Sequence, residues 1–231
     1  MKAAILSAGK GRRLASVTGT KGLLKIGGLT LLERTLRTLE RLKYEEVFIV
    51  LRKDAVLLEK YLLNLRPKLK LTFIRKNSRS PYYSTKALKQ YVKREGILVF
   101  NVDAYFQPKD LEGFTRFVQK GRASGKDMVL WAMRYSSEFE DPAFIRTNRK
   151  GEVVDYGKSI TPCDLIFGQI RYCSARALNA TPKSIKGMRQ YILHLIQKKY
   201  PVGVYRTQHP VYDVDTPEDY RAVLSAAGRA R

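Results

Sequence analysis

Short, nearly continuous apolar runs alternate along this chain with longer stretches in which leucine recurs at helical spacing. Residues 3–6 read as a buried strand, followed by a glycine-rich turn. Residues 30–42 read as a helix, with Leu31, Leu32, Leu36 and Leu39 on one face and Thr30 and Glu33 forming a capping box. Residues 46–51 form a second strand, 54–63 a helix and 69–74 a third strand. A polar turn over 76–81 leads into a helix expected over 83–94, and 96–100 is another buried strand that runs into Asp103. This βαβα order predicts an α/β fold: a mostly parallel central sheet with helices on both faces. Ligands bind such sheets at the carboxyl ends of the strands.

The second half has a different rhythm. Residues 128–133, 143–147, 153–156 and 165–172 are strand-like, and Asn148 to Gly151 form a turn. Residues 185–199 read as a helix with Met188, Tyr191, Ile192 and Leu195 on one face, and 202–206 as a short strand. Thr216 as N-cap, Pro217 at the first helical position and Asp219 at the third mark the start of a last helix, running to about residue 226.

Composition narrows the partners. The chain has 231 residues, of which 44% are hydrophobic, enough for a sizeable core. Its 44 Lys and Arg against 21 Asp and Glu leave a net charge of +23, which favours anionic partners such as nucleotides, phosphates, nucleic acid or an anionic membrane surface. The basic residues are spread along the chain rather than gathered in a tail, which argues against a dedicated nucleic-acid module. Cys163 and Cys173 form no Cys-x-x-Cys motif, so a zinc site is not expected and a reducing, cytoplasmic compartment is. The four-residue apolar run near the N-terminus is too short for a signal peptide. No apolar run approaches the ~20 residues needed to span a bilayer.

Candidate chemistry gathers in two places. In Ala8-Gly9-Lys10-Gly11-Arg12-Arg13-Leu14, glycines free the backbone amides to approach a ligand while Lys10, Arg12 and Arg13 add positive charge, so this turn reads as a triphosphate cradle. Leu14 stands where a dinucleotide fingerprint needs glycine, and no Walker-type P-loop is present. A merely solvated basic turn is the plainer reading. Asp103, Asp213 and Asp215 are carboxylates at strand ends; opposite a cationic turn they suit Mg²⁺ bound to a nucleoside triphosphate. Their plainer reading is as loop acids near a helix start. His194 and His209 have no companion Ser or Cys arrangement for nucleophilic catalysis.

The turn at residues 9–14, the stretch Lys21-Gly22-Leu23-Leu24-Lys25-Ile26-Gly27-Gly28, Asp103, and Asp213-Val214-Asp215-Thr216-Pro217-Glu218-Asp219 together resemble the nucleotidyltransferase superfamily. Within it the chain looks closest to the inositol-1-phosphate and phosphocholine cytidylyltransferases and the sugar-1-phosphate nucleotidyltransferases. That resemblance implies a Rossmann-like, GT-A-like fold in one domain over residues 1–231, with a nucleotide-binding half to about residue 125 and an acceptor-binding half from 126 that completes the metal site. It implies that Gly9, Lys10 and Gly11 cradle the phosphates, with Arg12 beside them and Arg13 as a clamp, and that Ala8 packs near the base. It implies that Lys21 touches the reacting phosphates, that Asp103 and Asp215, with Asp213, bind Mg²⁺, and that Lys158 holds the acceptor phosphate. Asn77, Tyr83 and Ser84 lie where the family reads the base.

The resemblance has departures. Lys21 stands between Thr20 and Gly22 where the family has prolines, which implies a looser loop; Pro81 replaces a common asparagine, and Ile166-Phe167-Gly168 replaces the family's Asp-Thr-Gly. The implied reaction joins a nucleoside monophosphate from a triphosphate, CTP first, to a small phosphomonoester such as inositol 1-phosphate or phosphocholine, releasing pyrophosphate. A sugar 1-phosphate with another triphosphate is the alternative, and a basic nucleic-acid-binding module or a degenerate regulatory homologue are the rivals of other kinds.

Overall fold

The computed structural model describes residues 1–9, 14, 20–123, 125–137, 139, 141–163 and 165–229; Lys10, Gly11, Arg12 and Arg13 of the expected cradle lie outside them. In chain order the first half contains β1 (Lys2–Ser7), a 3₁₀ turn (Lys21–Leu23), β2 (Lys25–Ile26), β3 (Leu29–Thr30), α1 (Leu31–Arg41), β4 (Glu46–Leu51), α2 (Val56–Asn64), β5 (Lys70–Arg75), α3 (Pro81–Ala87), β6 (Ile97–Asn101), β7 (Ala104–Tyr105) and α4 (Pro108–Ala123). The second half contains β8 (Met128–Arg134), β9 (Phe144–Thr147), β10 (Val153–Gly157), β11 (Leu165–Cys173), α5 (Ala175–Asn179), α6 (Met188–Gln197), β12 (Val202–Arg206), β13 (Tyr212–Asp213) and α7 (Pro217–Arg229).

β5, β4, β1 and β6 lie side by side and parallel. β11 then pairs antiparallel with β6, and the second-half strands build outward from it, so one nine-stranded sheet draws on both halves. Strand β1 shows why both faces must be covered. Ala4 and Leu6 join one hydrophobic cluster, while Ala3 and Ile5 join the other. Alternate side chains of a strand point to opposite faces, and here both sets are apolar. Leu32, Leu36 and Leu39 of α1, Leu58 and Leu62 of α2, and Leu111, Phe114 and Val118 of α4 cover one face. Tyr82 of α3, Leu178 of α5 and Tyr191 and Leu195 of α6 cover the other. Trp131 is wholly buried in the first of these layers.

The expected elements recur with shifted ends, for local reasons. Thr30 caps α1 as anticipated, its Oγ1 accepting from the Glu33 amide at 3.0 Å. The helix expected over 83–94 starts earlier, with Pro81 at its first turn, and after Ala87 tightens into a 3₁₀ turn over Leu88–Gln90. Leu88 and Val92 still bury on the same side, so the apolar spacing was real although the hydrogen bonding is not that of an α-helix throughout. The helix expected over 185–199 begins only at Met188, because Gly187 holds an extended N-cap conformation. Helix α4 was not anticipated, although Leu111, Phe114 and Val118 have helical spacing. Both cysteines are free thiols.

Candidate active site

Four strand ends make the floor of the site. Ser7, Ala8 and Gly9 after β1, Arg52 and Asp54 after β4, Asn77 to Pro81 after β5, and Asn101 to Asp103 after β6 line a cleft of about 1170 Å³. This is where a parallel sheet offers a ligand site, at the carboxyl ends of its strands. A smaller cavity of about 170 Å³ between α1 and β7 holds none of the candidate residues.

The acidic cluster is assembled by backbone. β13 pairs antiparallel with β7 so that Asp213 lies opposite Ala104, and the Val214 amide donates to the Asp103 carbonyl at 3.0 Å. Those contacts close a separation of 110 residues between Asp103 and Asp213. Asp215 is then fixed by the start of α7. The Asp219 carboxylate accepts from the amides of Asp215 and Thr216 at 2.9 and 2.7 Å, while the Asp219 amide donates to Thr216 Oγ1 at 3.2 Å. This is the capping arrangement read from the sequence, and it also orients a candidate ligand.

Between Asp213 and Asp215, Val214 points into a small apolar cluster with Leu14, Leu24, Ile26, Leu31, Tyr105 and Val223. Leu14, which breaks the dinucleotide fingerprint, thus packs in the same cluster as the valine between two of the acids. The β2–β3 hairpin contributes Ile26 and turns at Gly27 and Gly28, with φ of 60° and 86°. Two consecutive positive φ values are the requirement of a tight two-residue hairpin loop, which glycine meets without strain. Tyr220 Oη on α7 donates to the Lys25 carbonyl at 2.7 Å and locks this hairpin to the last helix.

Carboxylate oxygens of Asp103, Asp213 and Asp215 all lie within 4.8 Å of one another. Lys21 is the cation among them: its Nζ is 2.9 Å from Asp103 Oδ2 and also ion-pairs with Asp215. The residues before Thr20, from 15 to 19, lie outside those described, and what is described on the other side of Lys21 is closely packed. Gly22 is buried in the 3₁₀ turn, and a Cβ there would come within 2.9 Å of Val102 Cγ2. The missing side chain lets the turn press against Val102, the residue beside Asp103. One observation speaks directly for a metal. Asp103 Oδ1 is buried with no hydrogen-bond partner among the described residues. A buried carboxylate oxygen left unsatisfied is costly unless a cation takes it. Hard oxygen donors in such a group fit Mg²⁺, which takes one or two carboxylates and completes its shell with phosphate oxygens and water.

The cleft gathers Ala8, Gly9, Lys21, Asn77, Ser84 and Asp103. Asn77 also ties two strand ends together, its Oδ1 accepting from the Lys53 amide at 3.0 Å. Four expected residues are not among those lining it: Asp213 and Asp215, which reach the site through their group with Asp103, and Tyr83 and Lys158, which do not. Tyr83 packs edge-on to Tyr82, ring centroids 5.5 Å apart, against the core. Lys158 follows β10 at the opposite border of the sheet from β5 and pairs with the exposed Asp141. Sequence reasoning missed Arg52, Ser78 and Arg79 as wall residues. The signal was available: each follows the carboxyl end of a parallel strand. His209 takes a structural position, its Nδ1 2.8 Å from the buried Asp110 carboxylate, and His194 lies on α6.

Comparison with solved structures finds the same architecture. An inositol-1-phosphate CTP transferase from T. maritima superposes with a TM-score of 0.79 at 19% identity, covering 98% of this chain and 95% of that one. A UDP-glucose pyrophosphorylase in complex with UDP-glucose gives 0.81 at 17% identity, with 100% and 99% covered. A putative glucose-1-phosphate thymidylyltransferase from Bacillus anthracis gives 0.82 at 12% identity, with 98% and 95% covered. Identities this low establish a shared nucleotidyltransferase fold. The sequence matches no protein in a comparison with curated ones. The family model for the MobA-like NTP transferase domain matches residues 3–180, more than three quarters of the 231, and the chain belongs to that family of nucleotidyltransferases.

Proposed function

We propose that this protein transfers a nucleoside monophosphate from a nucleoside triphosphate, with CTP as first choice, to a small phosphomonoester such as inositol 1-phosphate or phosphocholine, releasing pyrophosphate. The observation that carries this reading is the cluster of Asp103, Asp213 and Asp215 around Lys21, of which Lys21 and Asp103 line the cleft at the strand ends. In such a transfer a phosphate oxygen of the acceptor attacks the α-phosphorus, that P–O bond forms, and the bond to the pyrophosphate leaving group breaks. Both reactants are anions, so the protein's task is to hold them together and cancel their repulsion.

Each group has a share in that task. Asp103 and Asp215, with Asp213, would hold Mg²⁺, which when bound neutralises charge on the triphosphate. Lys21 faces the reacting phosphates. Gly9, with Lys10, Gly11, Arg12 and Arg13 of the adjoining turn, binds the triphosphate tail. Ala8, Asn77 and Ser84 border the base, and Tyr83 supports that wall from behind. Lys158 serves the acceptor phosphate. No nucleophile from the protein is required, since the acceptor phosphate is ionised at neutral pH. Residues 1–231 act as one domain in a cytoplasmic setting.

A sugar 1-phosphate acceptor with UTP, dTTP or GTP is the second reading, supported for the first two by the similarity to the UDP-glucose and thymidylyl enzymes. One experiment decides between them. Pyrophosphate release is measured for four triphosphates against a panel of polyol, choline and sugar phosphomonoesters, with and without Mg²⁺. Turnover with CTP and a non-sugar acceptor supports the first reading; turnover confined to sugar 1-phosphates supports the second; no Mg²⁺-dependent release with any pair overturns both.

A further inference from the structure

Helix α2 is apolar on two sides. Leu58 and Leu62 point inward and are 1% and 0% exposed. On the outer side Val56, Leu57 and Leu63 are 68%, 78% and 58% exposed, the most open large apolar side chains among the described residues. Positions 56, 57, 60, 63 and 64 fall on one helical face, so the three apolar side chains form a strip shared with Lys60 and Asn64. Isolated exposed leucines need no explanation, but an apolar strip on a helix already buried on its other side does.

Charge names the occupant. Lys53, Lys60 and Lys68 are exposed around the strip. The nearby acids are already engaged within the protein: Asp54 by Arg52 and Glu59 by Arg75. With those acids paired, the charge left unbalanced around the strip is basic. A second copy of this chain would press like charges together in a molecule carrying +23. Nucleic acid would meet the lysines but leave three large aliphatic side chains unburied. An anionic phospholipid surface satisfies both, since leucine and valine enter the headgroup boundary while lysines meet lipid phosphates.

We infer that the outer face of α2 is a peripheral docking surface for anionic membranes. The placement matters because Ala55 and Leu58 of the same segment line the cleft, so docking here brings the cleft mouth close to the bilayer. No helix of the described residues is long and apolar enough to cross a membrane, so the association is reversible surface contact.

The test is cosedimentation of the full chain with phosphatidylcholine vesicles, with and without phosphatidylglycerol. The wild-type protein is expected to sediment with the anionic vesicles and not with the neutral ones. Leu57→Ser with Leu63→Ser, and separately Lys53→Glu with Lys60→Glu, are each expected to weaken that binding about tenfold or more. Lys150→Glu with Lys198→Glu alters charge equally at exposed sites elsewhere and is expected to retain most of it. All substituted side chains are exposed, and unchanged pyrophosphate release in solution verifies the fold independently of lipid. Undiminished binding by the leucine variant, or equal loss in the Lys150 and Lys198 control, overturns the inference and leaves diffuse charge attraction. A concentration-dependent dimer in ultracentrifugation that disappears with Leu57→Ser also overturns it, in favour of a second copy.

Discussion

Carboxylates gather at both ends of the parallel part of the sheet, and the two ends are treated differently. At the amino end, Glu46 opens β4 between Lys2 of β1 and Lys70 of β5, with ion pairs of 2.9 and 3.1 Å and a hydrogen bond from Thr72 at 2.8 Å. Burial alone would raise its pKa, but the bonds from Lys2, Thr72 and Lys70 outweigh it and hold the carboxyl down at about 2. At the carboxyl end, Asp103, Asp213 and Asp215 crowd within 4.8 Å of one another around Lys21, and Asp103 keeps a buried oxygen with no hydrogen-bond partner among the described residues. A satisfied carboxylate is complete as part of the fold. An under-satisfied carboxylate within a group of three has room for a further cation, and that contrast distinguishes the two carboxylate sites.

The contrast is broken most severely at Asp103. Asp103→Ala is expected to lower Mg²⁺-dependent pyrophosphate release by about 10³-fold while circular dichroism stays unchanged. Retained activity would remove Asp103 from the metal site. Lys21→Ala comes next, at about 10²-fold in turnover. It also strips the acids of their cation, so the melting temperature of the variant is expected to rise with added Mg²⁺ more than that of the wild type. Equal responses in thermal melts would argue against Lys21 as their counter-ion.

Gly22→Ala is a subtler break. The new methyl meets Val102 at 2.9 Å and shifts the turn that carries Lys21, and an about tenfold loss of turnover is expected with little loss of helix signal. Glu46→Gln tests the other end. Its effect is expected on stability, about 1 kcal/mol at neutral pH, and not on turnover. A carboxylate with a lowered pKa stabilises the fold above its ordinary value near 4.5, and that contribution fades as pH falls toward about 2. Urea denaturation should therefore separate wild type from variant at pH 7 and bring them together at low pH. Smallest of all is Lys158→Ala. Its partner Asp141 is exposed, so less than about 0.5 kcal/mol of stability is at stake. A rise in the acceptor's KM alone would mark it as an acceptor ligand.

Periodicity made most of the scaffold legible. The run 46–51 became β4 with its ends intact, because a strand buried on both faces leaves no ambiguity about which residues belong. The α7 start was legible because Thr216, Pro217 and Asp219 each have a local reason for their positions. The acids were legible as candidates, yet their meeting was not, since it depends on the two-residue pairing of β13 with β7, too short to show a period. Tyr83 illustrates the opposite limit. Neighbouring aromatics at a helix start carry no sign of which one faces the cleft, and the core claimed Tyr82 wholly and Tyr83 in part. Gly22 was read as a weakness because sequence shows the missing prolines but not the Val102 methyl against which the turn packs.

The short ladder between β13 and β7 has a temporal consequence. Every other acid-bearing strand end is in place once the central sheet forms, but the last two carboxylates arrive only with residues 212–215. During synthesis, the residues of the central sheet and of the cleft lining all precede this pair of acids. The three-carboxylate group is therefore the last part of the molecule to be completed, by the docking of one small strand and the helix that follows it.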